Sequence, residues 1–194
     1  MDTLPNVIAF SGGAGTGKDT SAAIVMEYLK AKGISYQHLK FAGKLKDVLS
    51  VMWDVPVQQL YTNEGKAIYI AELDQTMGKL HQTVGDAMRS IHPEIWIHPV
   101  TKKFNKDIIT VISDCRFPLE ITAVHNANNH TGKGIVVRIE REQDGQILEK
   151  TGRDRTHVSE TSLNNCKDFD YVIQNNSTLE DLKGKIYQIL GFIE

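Results

Sequence analysis

The stretch SGGAGTGKDT, from Ser11 to Thr20, carries residue types that bind phosphate, at the spacing phosphate binding requires. Gly12, Gly17 and Lys18 satisfy G-x-x-x-x-G-K, and Gly13 and Gly15 let consecutive backbone N–H groups turn inward around phosphate oxygens. The apolar run VIAFSG precedes the motif and a helical period follows it, so a helix N-terminus adds its partial positive charge. That placement separates such a loop from an ordinary Gly-rich turn. The candidate nucleotide contacts are Gly12, Gly13, Ala14, Gly15, Thr16, Gly17, Lys18, Asp19 and Thr20, with Lys18 reaching the β- and γ-phosphates.

Asp19 stands where such loops usually carry a hydroxyl that ligates Mg²⁺. Two readings are open: the carboxylate binds the ion, directly or through water, or it complements the positive end of the helix while Thr20 supplies the hydroxyl. A second acidic candidate is Asp114, in ITVISD, which should emerge at the carboxyl edge of the sheet and hold metal-bound water. Cys115 follows it where a motor-type ATPase would place a water-activating glutamate, so hydrolysis is not what the site advertises. Asn105, Lys106 and Asp107 resemble a base-reading N-K-x-D only out of register, a coincidence.

The chain has six arginines, and they are not scattered. Arg138, Arg141, Arg153 and Arg155 flank or occupy a charged, glycine-bearing excursion, an arrangement that resembles a lid whose planar forks suit phosphate oxygens. If Arg138 and Arg141 instead pair with Glu140, Glu142 or Asp144, they are surface ion pairs of little energetic weight.

These residues need elements to position them. Five apolar runs, VIAFSG, YQHLKFA, ITVISD, IVVRIE and YVIQN, have the continuous β-branched character of strands buried on both faces. Helical segments alternate with them, the clearest being Asp19 to Lys32, closed by Gly33, and a C-terminal stripe of Leu179, Leu182, Ile186, Ile189 and Ile193 that opens on Ser177 and Glu180 in capping-box spacing. The pattern predicts an α/β fold: a three-layer α/β/α domain around a five-stranded parallel sheet. Its core comprises residues 1–43, 102–141 and 160–194, with a helical lobe at 44–101 and the lid at 142–159. A chain of 194 residues with 41% hydrophobic and 24% charged residues can bury such a core. The net charge of -2 argues against a nucleic-acid binder, and no run is long enough for a membrane helix. Cys115 and Cys166 lack metal-ligand spacing and suggest reduced thiols in the cytoplasm.

Five segments in order resemble the deoxynucleoside monophosphate kinases of bacteriophages, a family related to animal phosphomevalonate kinase within the P-loop nucleoside monophosphate kinase fold. They are SGGAGTGKDT, with the family's GKD-T ending; FAGKLKDVL, similar to A-G-P-[LI]-K-D with Lys44 in place of the proline; VGDAMRSIHPEIW, similar to R-x-x-x-P-x-x-W; SDCRFPLEI, similar to D-x-R-F-x-x-E; and THVSETSL followed by DFDYVIQNN. The resemblance implies that the loop and Lys18 hold ATP, and that Asp19 and Asp114 position Mg²⁺. It implies that Lys46, Arg89 and Arg116 face an acceptor monophosphate beside Trp96, which fixes the lobe next to Arg89. Lys18, Arg116, Arg141, Arg153 and Arg155 would act on the transferred phosphoryl group, and His157 would help seat the lid.

The implied reaction is γ-phosphoryl transfer to a (deoxy)nucleoside monophosphate, an acceptor already ionised and in no need of a general base. Two alternatives stand beside it: a kinase of another phosphorylated small molecule, as in phosphomevalonate kinase, and a non-catalytic ATP-binding module. Gln58, Gln59, Asn63, Gln75 and Gln82 are the amides the lobe could offer a base. Oligomeric state is left open, a homodimer being one reading.

Overall fold

A computed structural model describes residues 4–129, 132–142, 154 and 156–192. The elements run β1 (Val7–Ser11), α1 (Lys18–Ala31), β2 (Tyr36–Leu39), α2 (Gly43–Trp53), α3 (Asn63–Ala67), β3 (Tyr69–Ile70), β4 (Gln75–Thr76), α4 (Met77–Ile91), α5 (His98–Thr101), β5 (Ile109–Cys115), α6 (Pro118–His125), β6 (Gly134–Glu140), α7 (Val158–Thr161), β7 (Tyr171–Gln174) and α8 (Leu179–Leu190). The five longer strands form one parallel sheet in the order β2-β5-β1-β6-β7. Every predicted apolar run contributes one of them.

Every residue of β1 is buried, because helices cover both faces of the sheet. On one face Ile8, Phe10, Val111, Ile135 and Val137 pack against Val25 and Leu29 of α1 and Leu182 and Ile186 of α8. On the other, Val7, Ala9, Ile112 and Val136 pack against Ile121 and Val124 of α6 and Val100 of α5. This is the three-layer α/β/α arrangement. It leaves the carboxyl ends of β1 and β5 side by side, with Ser11 in register with Cys115, so whatever follows these strands meets at one edge.

The C-terminal helix departs from its predicted cap by one residue. Thr178, not Ser177, is the N-cap, its Oγ1 accepting the Asp181 amide at 3.2 Å. This register carries Leu182, Ile186 and Leu190 to the core and leaves Leu179 exposed, so Leu179 does not belong to the buried stripe. Residues 43–96 build a separate apolar cluster of Leu45, Leu49, Leu60, Ile70, Met77, Leu80 and Trp96. The lobe predicted as helical also contains the antiparallel β3–β4 hairpin, and Ile97 and Val100, near its predicted end, pack into the main core instead. Among the described residues no helix is long and apolar enough to cross a membrane.

Candidate active site

The loop between β1 and α1 is shaped by glycine. Gly12 and Gly17 have φ of 149° and 107°, and a Cβ would come within 2.4 Å of the Ile139 carbonyl at Gly12 and 2.5 Å of Asn175 Nδ2 at Gly17. Asn175, buried after β7, donates from Nδ2 to the Thr16 carbonyl at 2.8 Å and so ties the loop to the far side of the sheet. Its position in DFDYVIQNN is the only sequence signal for this brace. Thr16 Oγ1 and Lys18 Nζ both donate to the Gly13 carbonyl, at 3.0 and 2.7 Å. Lys18 is 6% exposed, and burial, reinforced by the Arg116 charge, pushes its pKa down to about 7.

Asp19 Oδ1 accepts hydrogen bonds from Lys40 Nζ at 2.8 Å and Ser113 Oγ at 3.0 Å, and His38 Nε2 lies 3.0 Å from the same hydroxyl. Partial desolvation would raise the pKa of Asp19, but the Lys40 and Ser113 contacts outweigh it and hold the carboxyl below its ordinary value. Asp114 accepts the Phe41 amide at Oδ1, 2.8 Å, and the Ala42 amide at Oδ2, 3.0 Å, which pins the entry to α2 against the end of β5. Among the described residues no group of three or more His, Cys, Asp or Glu could hold a metal by itself. Mg²⁺ bound with nucleotide phosphates needs only one or two carboxylates and keeps several waters. Asp19, with Oδ2 clear of the two bonds to Oδ1, fits that demand, and Asp114 fits contact through water.

A cavity of about 190 Å³ opens beside the loop and brings together Lys18, Asp19, Lys46, Arg89, Asp114 and Arg116 from four separate stretches of sequence. Lys40, Tyr61, Lys66, Phe117 and Glu120 line it as well, so six basic lysine and arginine side chains face three carboxyl groups among the described residues. The excess suits an anion. Lys46 Nζ sits 3.5 Å from the centroid of the Tyr61 ring, and burial pushes its pKa down to about 7. The Arg89 guanidinium stacks 3.9 Å from the Phe117 ring centroid and donates to Asp86 Oδ1 at 2.9 Å. Arg116 Nη1 donates to the Ser159 carbonyl at 2.9 Å and to Glu160 Oε2 at 2.7 Å. Glu120 Oε2 accepts the amides of Arg116 at 2.6 Å and Phe117 at 3.1 Å, and burial lifts its pKa to about 8.

Other sequence candidates lie elsewhere. Trp96 is buried in the lobe cluster, its Nε1 donating to the Gly85 carbonyl at 3.1 Å, and does not line the cavity. Arg138 lies within β6, the predicted strand IVVRIE, with Nη1 3.3 Å from Ser11 Oγ and Nε 3.8 Å from Glu140. Arg141 is exposed just past the end of β6 and is not part of the cavity lining. Arg153 and Arg155 lie outside the described residues, as does most of the segment 142–159. Gln82 lines the cavity, but both ends of its amide are engaged by Asp154, whose N–H it accepts at 3.0 Å and whose carbonyl it donates to at 3.1 Å. Sequence reasoning missed Lys40, Lys66 and Glu120 and left Tyr61 unassigned. Glu120 was discernible as the last residue of the D-x-R-F-x-x-E resemblance, three residues after the N-cap Phe117; the others carry no local pattern. His81 lines the cavity too.

The fold and loop define a P-loop α/β/α domain. Solved structures with that fold include a "putative kinase" of Chloroflexus aurantiacus J-10-fl, with a TM-score of 0.52 and 11% identity over 99% of this chain and 100% of the other. A gluconokinase of Sinorhizobium meliloti 1021 has a TM-score of 0.50 and 11% identity over 97% and 93% of the two chains. By sequence, the chain is similar to a protein of Acanthamoeba polyphaga mimivirus named "Putative deoxynucleotide monophosphate kinase", 26% identical over an alignment 202 positions long that covers 93% of each chain. No family model matches the chain.

Proposed function

We propose that this protein transfers the γ-phosphoryl group of ATP to a second phosphorylated small molecule, a deoxynucleoside monophosphate by resemblance to the mimivirus protein and to the phage kinases. The observation that supports it is the convergence, on one cavity, of Lys18 from the loop with Lys46, Arg89 and Arg116 from outside it. One anion on the loop and a second beside these three side chains would lie close enough for in-line transfer. Asp19, and Asp114 through water, would hold Mg²⁺, which neutralises charge on the β- and γ-phosphates. The triphosphate restores the charged form of Lys18, since an anion beside a buried ammonium favours its proton. Segment 142–159, with Arg141, Arg153 and Arg155, would close over both substrates and exclude water as a competing acceptor. The free thiols of Cys115 and Cys166 accord with a reducing cytoplasm.

One observation favours a second reading. Of the five lobe amides available to read a base, only Gln82 lines the cavity, and Asp154 engages its amide at both ends. An acceptor without a base, as in phosphomevalonate kinase, would not need them. A coupled assay of ADP release with ATP and Mg²⁺ decides, run against ribo- and deoxynucleoside monophosphates and mevalonate 5-phosphate. Saturable turnover with a deoxynucleoside monophosphate is expected; turnover with mevalonate 5-phosphate alone selects the second reading, and inactivity with all removes both.

A further inference from the structure

Helix α4 presents Lys79, Gln82, Asp86 and Arg89 at spacings of three, four and three, which places them along one stripe of the helix. Asp154 and His157 are docked on that stripe. Lys79 Nζ lies 3.7 Å from Asp154 Oδ2, Gln82 pairs with both backbone groups of Asp154, and His157 Nε2 lies 2.7 Å from Asp86 Oδ2. His157 also caps α7, its Nδ1 accepting the Ser159 amide at 3.1 Å. A ring nitrogen that accepts carries no proton, so the proton sits on Nε2 and is donated to Asp86. The other Asp86 oxygen accepts from Arg89 Nη1. Two residues further on, the Ser159 carbonyl and the Glu160 carboxylate hold Arg116, with the Glu160 side chain 4% exposed.

The geometry points to His157 as a positioning residue for the acceptor anion: by fixing Asp86 it sets the Arg89 guanidinium in the cavity, beside the Arg116 guanidinium held by the same turn of chain. The inference rests on the phosphoryl-transfer reading above. An arginine left mobile loses rotamer freedom when an anion binds, and one already held does not, so the contact favours binding through Arg89, although His157 also lines the cavity.

His157→Asn separates the two jobs of the ring. Asparagine is a strong N-cap and can still accept the Ser159 amide, but it is too short to reach Asp86. The probe is inorganic phosphate, titrated calorimetrically into protein saturated with Mg²⁺ and AMPPNP. In His157→Asn, phosphate affinity is expected to fall about tenfold, within the range of coupling between contacting residues, with AMPPNP affinity unchanged. Asp86→Asn, which leaves one acceptor oxygen for two donors, should give the same loss, and the double variant no more than either. Unchanged phosphate affinity in His157→Asn, additive losses in the double variant, or no phosphate binding by the wild-type AMPPNP complex would overturn the inference. Failure of AMPPNP to bind the wild type would instead remove the ATP reading on which it rests. Should His157→Asn not fold, Asp86→Asn carries the test alone.

Discussion

The two halves of the cavity are built on different principles. The loop half is one contiguous stretch, Ser11 to Thr20, whose working groups are backbone amides held by glycines in left-handed conformations and braced by Asn175. The acceptor half is assembled from side chains on α2, α4 and the β5–α6 junction, and its two guanidiniums are already held by carboxylates, Arg89 by Asp86 and Arg116 by Glu160. The first half depends on conformation, the second on charge balance. Substitutions should therefore fail in distinguishable ways: on the loop through strain and nucleotide affinity, and across the cavity through acceptor recognition.

The largest effect is expected on the loop. Gly17→Ala forces a Cβ onto Asn175 at a φ that L-residues rarely adopt, a strain of about 1 to 3 kcal/mol. AMPPNP affinity should fall roughly tenfold to a hundredfold, measured by calorimetry. Arg116→Lys tests the opposite half: an ammonium cannot reproduce a planar fork, so the acceptor KM should rise about tenfold while the KM for ATP stays put. Equal effects on both substrates would erase the distinction between the halves. The smallest effect concerns Glu120, whose buried carboxyl is lifted from an ordinary 4.5 to about 8. Below about pH 4.5 folded and unfolded chains both hold this proton; as pH rises towards 8 only the folded chain keeps it, so its stabilising contribution is lost. Thermal melts should show Glu120→Gln gaining on the wild type between pH 5 and pH 8 and holding its lead above that. Parallel curves would mean that the carboxyl is not raised.

This contrast also explains what is legible in the sequence. The strands were plain because a sheet covered on both faces writes continuous apolar runs, and the loop was plain because its chemistry is local. Lys46, Arg89 and Arg116 were found through their segments' likeness to known kinases, and the structure brings them to one cavity. Arg138 is in the strand run IVVRIE that the sequence predicts, and the structure keeps it there, beside Ser11 rather than in the cavity. Lys40, Lys66 and Asp86 left no trace, because what makes them part of the site is packing between α2, α3 and α4, and pairing with partners tens of residues away. Ser177 was chosen over Thr178 because two adjacent hydroxyl residues offer caps one residue apart, and only the burial of Leu182 and Ile186 decides between them.

The most direct test follows the phosphoryl group itself. In a single turnover with [γ-³²P]ATP, Mg²⁺ and a mixture of deoxynucleoside monophosphates, label should appear in a nucleoside diphosphate, and Lys18→Ala should slow its appearance by roughly 10² to 10³. Label released only as inorganic phosphate, or transfer that survives intact in Lys18→Ala, would contradict the account.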